Sequence, residues 1–194
     1  MSLRLIEPVT HEAEIKKSRF IARAAPVDDE AAALAFIERV SDPAANHNCW
    51  AWLIGDSYRF DDAGEPGGTA GRPILQAIEN QGYDRTVVVV TRFFGGIKLG
   101  TGGLARAYGG TASEALRTAE SAPIVPKVRL RLRLPFEFVD AAHHALSEFD
   151  GDKIDEDYAA DGVTLIVTIP AASRQAFAEH MRNAARGQVR VARI

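Results

Sequence analysis

Residues 86–108 read TVVVVTRFFGGIKLGTGGLARAY and carry the clearest pattern in this chain of 194 residues. The valine run at the start predicts a strand that is buried on both faces. A helix is predicted from about Gly103 to Ala119. The loop between them is rich in glycine, with Gly95, Gly96, Gly100, Gly102 and Gly103. This order of strand, glycine-rich loop and helix leaves free backbone N–H groups at a helix start, where anions bind.

Three cations accompany the loop, namely Arg92, Lys98 and Arg106. Together with the five glycines they form the predicted site for a phosphate or a nucleic acid. The spacing matches neither a Walker A motif nor a Rossmann G-x-G-x-x-G motif. In the alternative interpretation, the glycines serve only tight turns and close packing of the helix on the strand. The residues alone leave both interpretations open.

The surrounding first half of the chain mixes strands and helices. Strands are predicted at residues 3–7, 17–27, 49–55 and 86–90, and helices after Asp28 and over residues 73–80. Two prolines, Pro123 and Pro126, stop any helix and predict an extended linker. We therefore predict an α+β protein with domains at residues 1–125 and 126–194.

The second half follows a regular order of elements. Residues 127–134 alternate strictly between cationic and apolar side chains, as in a half-buried strand. Helices are predicted over residues 138–149 and 171–186, and further strands at 153–158, 163–169 and 188–194. The resulting order β-α-β-β-α-β is that of a ferredoxin-like domain. The basic stripe on the first strand, Lys127, Arg129, Arg131 and Arg133, favours phosphate contacts or a solvated sheet face equally.

Two other stretches contain residues suited to chemistry. The loop of residues 61–71 carries Asp61, Asp62 and Glu65, with Thr69 nearby, and its carboxylates suit Mg²⁺ binding or proton transfer. A solvated turn with capping groups explains them as well. His47 and Cys49 are two positions apart and share one face of a predicted strand. We interpret Cys49 as a small buried hydrophobic residue rather than a nucleophile.

Composition limits the classes of function. The net charge is −3, which disfavours non-specific nucleic-acid binding through bulk charge. One cysteine excludes an internal disulfide, and no apolar stretch approaches the ~20 residues of a membrane span. We predict a cytoplasmic protein without a membrane association. Neither metal-ligand spacing nor a cofactor motif is recognisable, so no metal and no cofactor is predicted.

The chain resembles the IMPACT/YigZ family in its prokaryotic two-domain form. The resemblance rests on Lys17–Ile21, Asn46–Cys49, Asp62–Gly71, Thr91–Leu104 and Arg106–Tyr108, in the same order as in the family. It implies a first domain like the fourth domain of elongation factor G, a ribosomal-protein-type β-α fold, and a second like the fifth domain of that factor. Two positions depart from the family pattern, because Asp61 replaces a usual serine and Ala63 a usual aspartate.

The resemblance also implies a role in translation. Eukaryotic relatives regulate translation, prokaryotic relatives are proposed to bind nucleic acid, and no catalytic residues come with the family. Our first hypothesis is a non-enzymatic protein that binds RNA or a ribosome-associated partner through the glycine-rich loop. The second is an enzyme acting on a phosphorylated small molecule, with Asp62 and Glu65 opposite that loop. The third is a protein–protein interaction module.

Overall fold

The computed structural model describes residues 2–194 and confirms a mixed α+β fold. The strands are β1 (Leu3–Leu5), β2 (Val9–Ile15), β3 (Ser18–Pro26), β4 (His47–Ile54), β5 (Ser57–Asp61), β6 (Thr86–Phe93), β7 (Ser121–Pro123), β8 (Lys127–Leu134), β9 (Asp152–Ala159), β10 (Gly162–Pro170) and β11 (Arg190–Arg193). The helices are α1 (Glu30–Val40), α2 (Gly71–Asn80), α3 (Thr101–Thr118), α4 (Val139–Glu148) and α5 (Arg174–Ala184). Residues up to Ile124 form one compact unit, and residues from Val125 to Ile194 form a second.

The first unit is built on an antiparallel sheet with the strand order β2-β3-β6-β4-β5. Strand β6 lies at its centre, and the four valines Val87–Val90 are fully buried. Helices α2 and α3 cover one face, where Val88 and Val90 pack, and α1 covers the other, where Val87 and Val89 pack. Burial on both faces explains why β6 reads as a continuous apolar run.

Two strands of the first unit differ from the sequence prediction. Residues 121–123, predicted as part of a linker, form β7 and pair antiparallel with β1. Strand β2 was not predicted, because its exposed positions are polar and its inward positions are only partly buried. Helix α2 begins two residues before the predicted start, since a distant carboxylate caps it, as described below.

The second unit has the predicted element order β8-α4-β9-β10-α5-β11. Its antiparallel sheet has the strand order β11-β8-β10-β9, and α4 and α5 pack against the leucines of β8. The basic stripe lies exposed on β8, where Lys127 pairs with Asp152 and Arg133 with Asp161. Two of its four cations are therefore neutralised within the unit.

Candidate functional site

The loop of residues 61–71 and the glycine-rich loop after β6 meet at one cavity of about 400 Å³, here called the cleft. Strands β4 and β6 bring them together, because His47 pairs directly with Arg92 in the sheet register. The cleft is lined by Asn46, His47, Glu65, Pro66, Arg92, Phe94, Lys98, Leu99, Gly100, Thr101 and Leu104. Whether these loops share a site was open from the sequence.

The first turn of α3 carries unpaired backbone donors and begins at the cleft, which Gly100 and Thr101 line. Gly100 is the N-cap, and Leu104 N–H donates to its carbonyl at 2.8 Å. Within residues 2–194, the N–H groups of Thr101, Gly102 and Gly103 have no acceptor, and no side chain caps the helix. Such groups, together with the helix dipole, favour a bound anion.

The glycines of this loop have individual structural causes. Gly96 and Gly100 adopt φ of 86° and 74°, a left-handed conformation that favours glycine. Gly95 lies so close to the β2–β3 turn that a Cβ atom would overlap the backbone carbonyl of Lys17. Gly103 packs against Leu99, whereas a side chain at Gly102 would meet only the end of Arg106. The turn and packing interpretation therefore accounts for four of these glycines but not for Gly102.

Arg92 forms a buried ion pair at the base of the cleft. Its Nη1 donates to Glu65 Oε1, which also accepts from the Tyr108 hydroxyl at 2.7 Å. The side chains of Arg92 and Glu65 are 7% and 3% exposed. The guanidinium lies between the rings of Phe20 and Phe94, at 5.6 and 5.4 Å from their centroids. The pair largely cancels the positive charge that the sequence analysis assigned to Arg92.

One donor of Arg92 is left over. Among the described residues, its Nε–H has no hydrogen-bond acceptor although the atom is buried. A buried donor without a partner costs about 1–3 kcal/mol and calls for an explanation. Arg92 also lines the cleft, so this unsatisfied donor belongs to a side chain that a ligand in the cleft would contact.

Asp62 stabilises the protein scaffold and is not free for metal or proton chemistry. Its carboxylate accepts from the N–H groups of Gly68, Ala70 and Gly71 at 2.7–2.9 Å, and so caps α2. Partial burial acts to raise the pKa of Asp62, but the three amide hydrogen bonds outweigh it and hold the pKa below its usual value. No group of three or more potential metal ligands occurs in the part of the chain that the structure describes.

His47 contacts the loop of residues 61–71, and Thr69 lies within it. The Nδ1 of His47 lies 2.9 Å from the Ala63 carbonyl oxygen. Because a carbonyl oxygen only accepts hydrogen bonds, Nδ1 carries the proton. The other ring nitrogen, Nε2, lies 3.8 Å from Glu65 Oε1. The Thr69 hydroxyl donates to the Pro66 carbonyl at 2.6 Å and closes a turn. His47 is thus in the cleft, whereas Thr69 is buried beside it.

Cys49 is fully buried beneath the cleft, and its thiol lies 3.0 Å from the Asp62 carbonyl. Burial raises the pKa of this thiol to about 12. Burial also raises the pKa of the Tyr108 hydroxyl well above its usual value. Both groups are therefore neutral, hydrogen-bonded parts of the core.

We expect Cys49 to be inert toward a disulfide reagent such as DTNB at pH 8 in the native protein. The reaction needs the exposed thiolate, whereas this thiol is buried and its pKa is about 12. Because the chain has one cysteine, absorbance should report no label in buffer and one equivalent in 6 M guanidinium chloride. Rapid labelling of the native protein would contradict the buried position.

The exposed cations are divided between two neighbouring cavities. Lys98 lines the cleft, whereas Arg106 lies in a groove on the other side of Leu99 together with Lys16. Sequence reasoning missed Lys16 and Lys17, which form the two-residue turn between β2 and β3. It also missed Phe94, a 45% exposed ring beside the unpaired amides. The turn was missed because β2 was not predicted. For the aromatic residue, the available signal was the pattern FFGG at residues 93–96.

Comparisons with known proteins agree with the resemblance seen in the sequence. Residues 16–116 match the family model of the Impact N-terminal domain, and residues 132–188 match a domain of unknown function. The IMPACT family member YigZ of Escherichia coli is 40% identical, with 96% of this chain and 95% of the relative covered. An IMPACT family member of Thermus thermophilus is 49% identical over 80% of this chain and 86% of its own.

A solved structure described as a hypothetical protein shares the fold along the whole chain. It is 40% identical and superposes with a TM-score of 0.76, covering 100% of this chain and 97% of its own. Within residues 2–194, no helix of this protein has the length and apolar character needed to cross a membrane.

Proposed function

Because the chain belongs to the IMPACT family, we propose that its cleft binds single-stranded RNA in a role linked to translation. The observation that carries the proposal is the set of unpaired amides at the start of α3, Thr101, Gly102 and Gly103, of which Thr101 lines the cleft together with Lys98. A phosphate at this helix start accepts from the amides and neutralises the ammonium group. The translational part rests on the resemblance to a family whose eukaryotic members regulate translation.

The surroundings of the amides fit a nucleotide better than a bare anion. Phe94 exposes nearly half of its ring beside them, and bases stack on such rings with about 1–3 kcal/mol per base. Stacking and phosphate contacts together are the usual means by which single strands are bound. The side chain of Arg92, which carries the unpartnered buried Nε–H, lines the same cleft.

Lys98→Ala is expected to weaken binding of a fluorescent hexauridylate about tenfold, because a charge-assisted hydrogen bond contributes about 1.5 kcal/mol. The slope of log affinity against log salt should become shallower by about 0.7, the value of one phosphate contact on a single strand. Anisotropy titrations at several salt concentrations measure both quantities. Lys98 is exposed and makes no ion pair among residues 2–194, so folding should be unaffected.

The matched control is Arg174→Ala, which changes the net charge equally. Arg174 lies exposed on α5 in the second unit and makes no ion pair within the described chain. The affinity of the Arg174→Ala variant for hexauridylate, and the slope of log affinity against log salt, should equal those of the wild type. If Lys98→Ala behaved like this control, the cleft would not be the phosphate site.

A second candidate function is an enzyme for a phosphorylated small molecule. It is favoured by the volume of the cleft, about 400 Å³, which falls in the ~300–1,000 Å³ range of small-ligand sites. The carboxylates first assigned to it are already engaged, Asp62 by three amides and Glu65 by Arg92 and Tyr108. In this function His47 Nε2 is the group that moves a proton, and His47→Gln is expected to abolish turnover of a phosphorylated substrate.

A further inference from the structure

A second basic cavity lies beside the cleft and is here called the groove. It has a volume of about 210 Å³ and is lined by Ile15, Lys16, Leu99, Gly103, Arg106 and Ala107. Leu99 lines both cavities, and Gly103, in the first turn of α3, lies in the groove. The groove and the cleft are therefore adjacent, on either side of one leucine side chain.

The exposed cations around these cavities are without counter-charges, unlike the buried Arg92, which pairs with Glu65. Lys16, Lys17, Lys98 and Arg106 make no ion pair within residues 2–194, whereas Arg19, Arg117, Lys127 and Lys153 are each paired with a carboxylate. What distinguishes these four cations is their grouping near one loop, in a chain whose net charge is −3. Such a local concentration of positive charge attracts a polyanion even when the whole chain does not.

Turn geometry does not explain the two lysines. Lys16 and Lys17 adopt φ of 48° and 64°, a conformation for which two-residue hairpins usually use Asn-Gly. Their side chains are exposed, so core packing does not require them either. Lys16 lines the groove, so one of these two turn positions places an exposed cation there.

The sizes of the two cavities differ in a way that suits a nucleotide chain. The cleft, at about 400 Å³, is large enough for a base and sugar with their phosphate. The groove has about half that volume and two cations, Lys16 and Arg106, which suit a phosphate group alone. Leu99 lines both cavities, so a single strand can pass from one to the other over this side chain.

We propose that the groove holds a second phosphate, so that the protein binds two successive phosphates of single-stranded RNA across Leu99. This inference rests on the function proposed for the cleft and adds Lys16 and Arg106 as a second phosphate-binding site. The first phosphate accepts from the amides at the start of α3 and from Lys98. The second is bound by Lys16 and Arg106, and Phe94 stacks against the base on the cleft side.

The test compares a ligand with one phosphate, uridine monophosphate, and a ligand with several, hexauridylate. Lys16→Ala/Arg106→Ala should weaken hexauridylate binding at least tenfold and reduce the salt slope by about 0.7. The same variant should bind uridine monophosphate within twofold of the wild type, since the cleft is intact. Lys98→Ala should weaken both ligands. Calorimetric and anisotropy titrations measure these affinities.

The matched control is Arg174→Ala/Arg182→Ala, which removes two exposed cations of α5 and should leave both ligands unaffected. If the Lys16/Arg106 variant binds hexauridylate like the wild type, the groove takes no phosphate, while the effect of Lys98→Ala still supports the cleft. If it loses uridine monophosphate as strongly as hexauridylate, the two cavities are one site and the inference is wrong. If neither ligand binds the wild type, the function proposed for the cleft fails as well.

Discussion

Glu65→Ala is expected to lower the free energy of unfolding of the first unit by about 3–5 kcal/mol, the usual cost of removing one partner of a buried ion pair. The substitution leaves the Arg92 guanidinium, 7% exposed, without its carboxylate. It also removes the acceptor of the buried Tyr108 hydroxyl. Urea unfolding followed by tryptophan fluorescence measures the change, because both tryptophans, Trp50 and Trp52, lie in the first unit.

The control for this prediction is Glu114→Ala on α3, in the same unit. Glu114 also pairs with an arginine, Arg117, but both side chains are largely exposed. Exposed pairs contribute little because water and salt screen them. A far smaller change than for Glu65→Ala is therefore expected. Equal effects of the two substitutions would mean that the Arg92–Glu65 pair is not buried in solution.

Gly95→Ala is expected to destabilise the first unit by about 3 kcal/mol, at the upper end of what overpacking usually costs. The added Cβ would overlap the backbone of Lys17, and a backbone atom cannot move aside as the end of a flexible side chain does. Either the β2–β3 turn or the glycine-rich loop must shift. The same substitution should therefore weaken hexauridylate binding as well as stability.

Gly110→Ala provides the comparison for Gly95→Ala. Gly110 lies inside α3, and an added Cβ meets nothing within 4 Å. Alanine there should stabilise the unit by about 0.5–1 kcal/mol, because glycine is unfavourable within helices. Urea unfolding of both variants checks the prediction. A neutral Gly95→Ala would show that the turn and the loop are not in close contact.

Local patterns in the sequence predicted the elements that carry the site. The valine run, the glycine cluster and the following helix appear as β6, the loop and α3. Alternation on β8 predicted its exposed cations and buried leucines in the same way. These features follow from periodicity and glycine conformation, which depend on near neighbours in the chain.

The ion pair at the base of the cleft could not be predicted from such local patterns. Glu65 meets Arg92 only because β4 and β6 pair with His47 opposite Arg92, a contact between distant segments. One signal was available, since Arg92 is two residues after Val90 and shares its face of the strand, toward α3. This spacing predicts that Arg92 is buried, and a buried arginine needs a carboxylate partner.

Phe94 has a consequence for the speed of recognition. The Phe94 ring is exposed, and the guanidinium of Arg92 packs over it, 5.4 Å from its centroid. Arg92 is in turn held by its ion pair with Glu65. A platform that is already rigid loses little conformational entropy when a base stacks on it. Encounter would then need no slow reordering of the protein, and ligands of different affinity would differ chiefly in how long they stay bound.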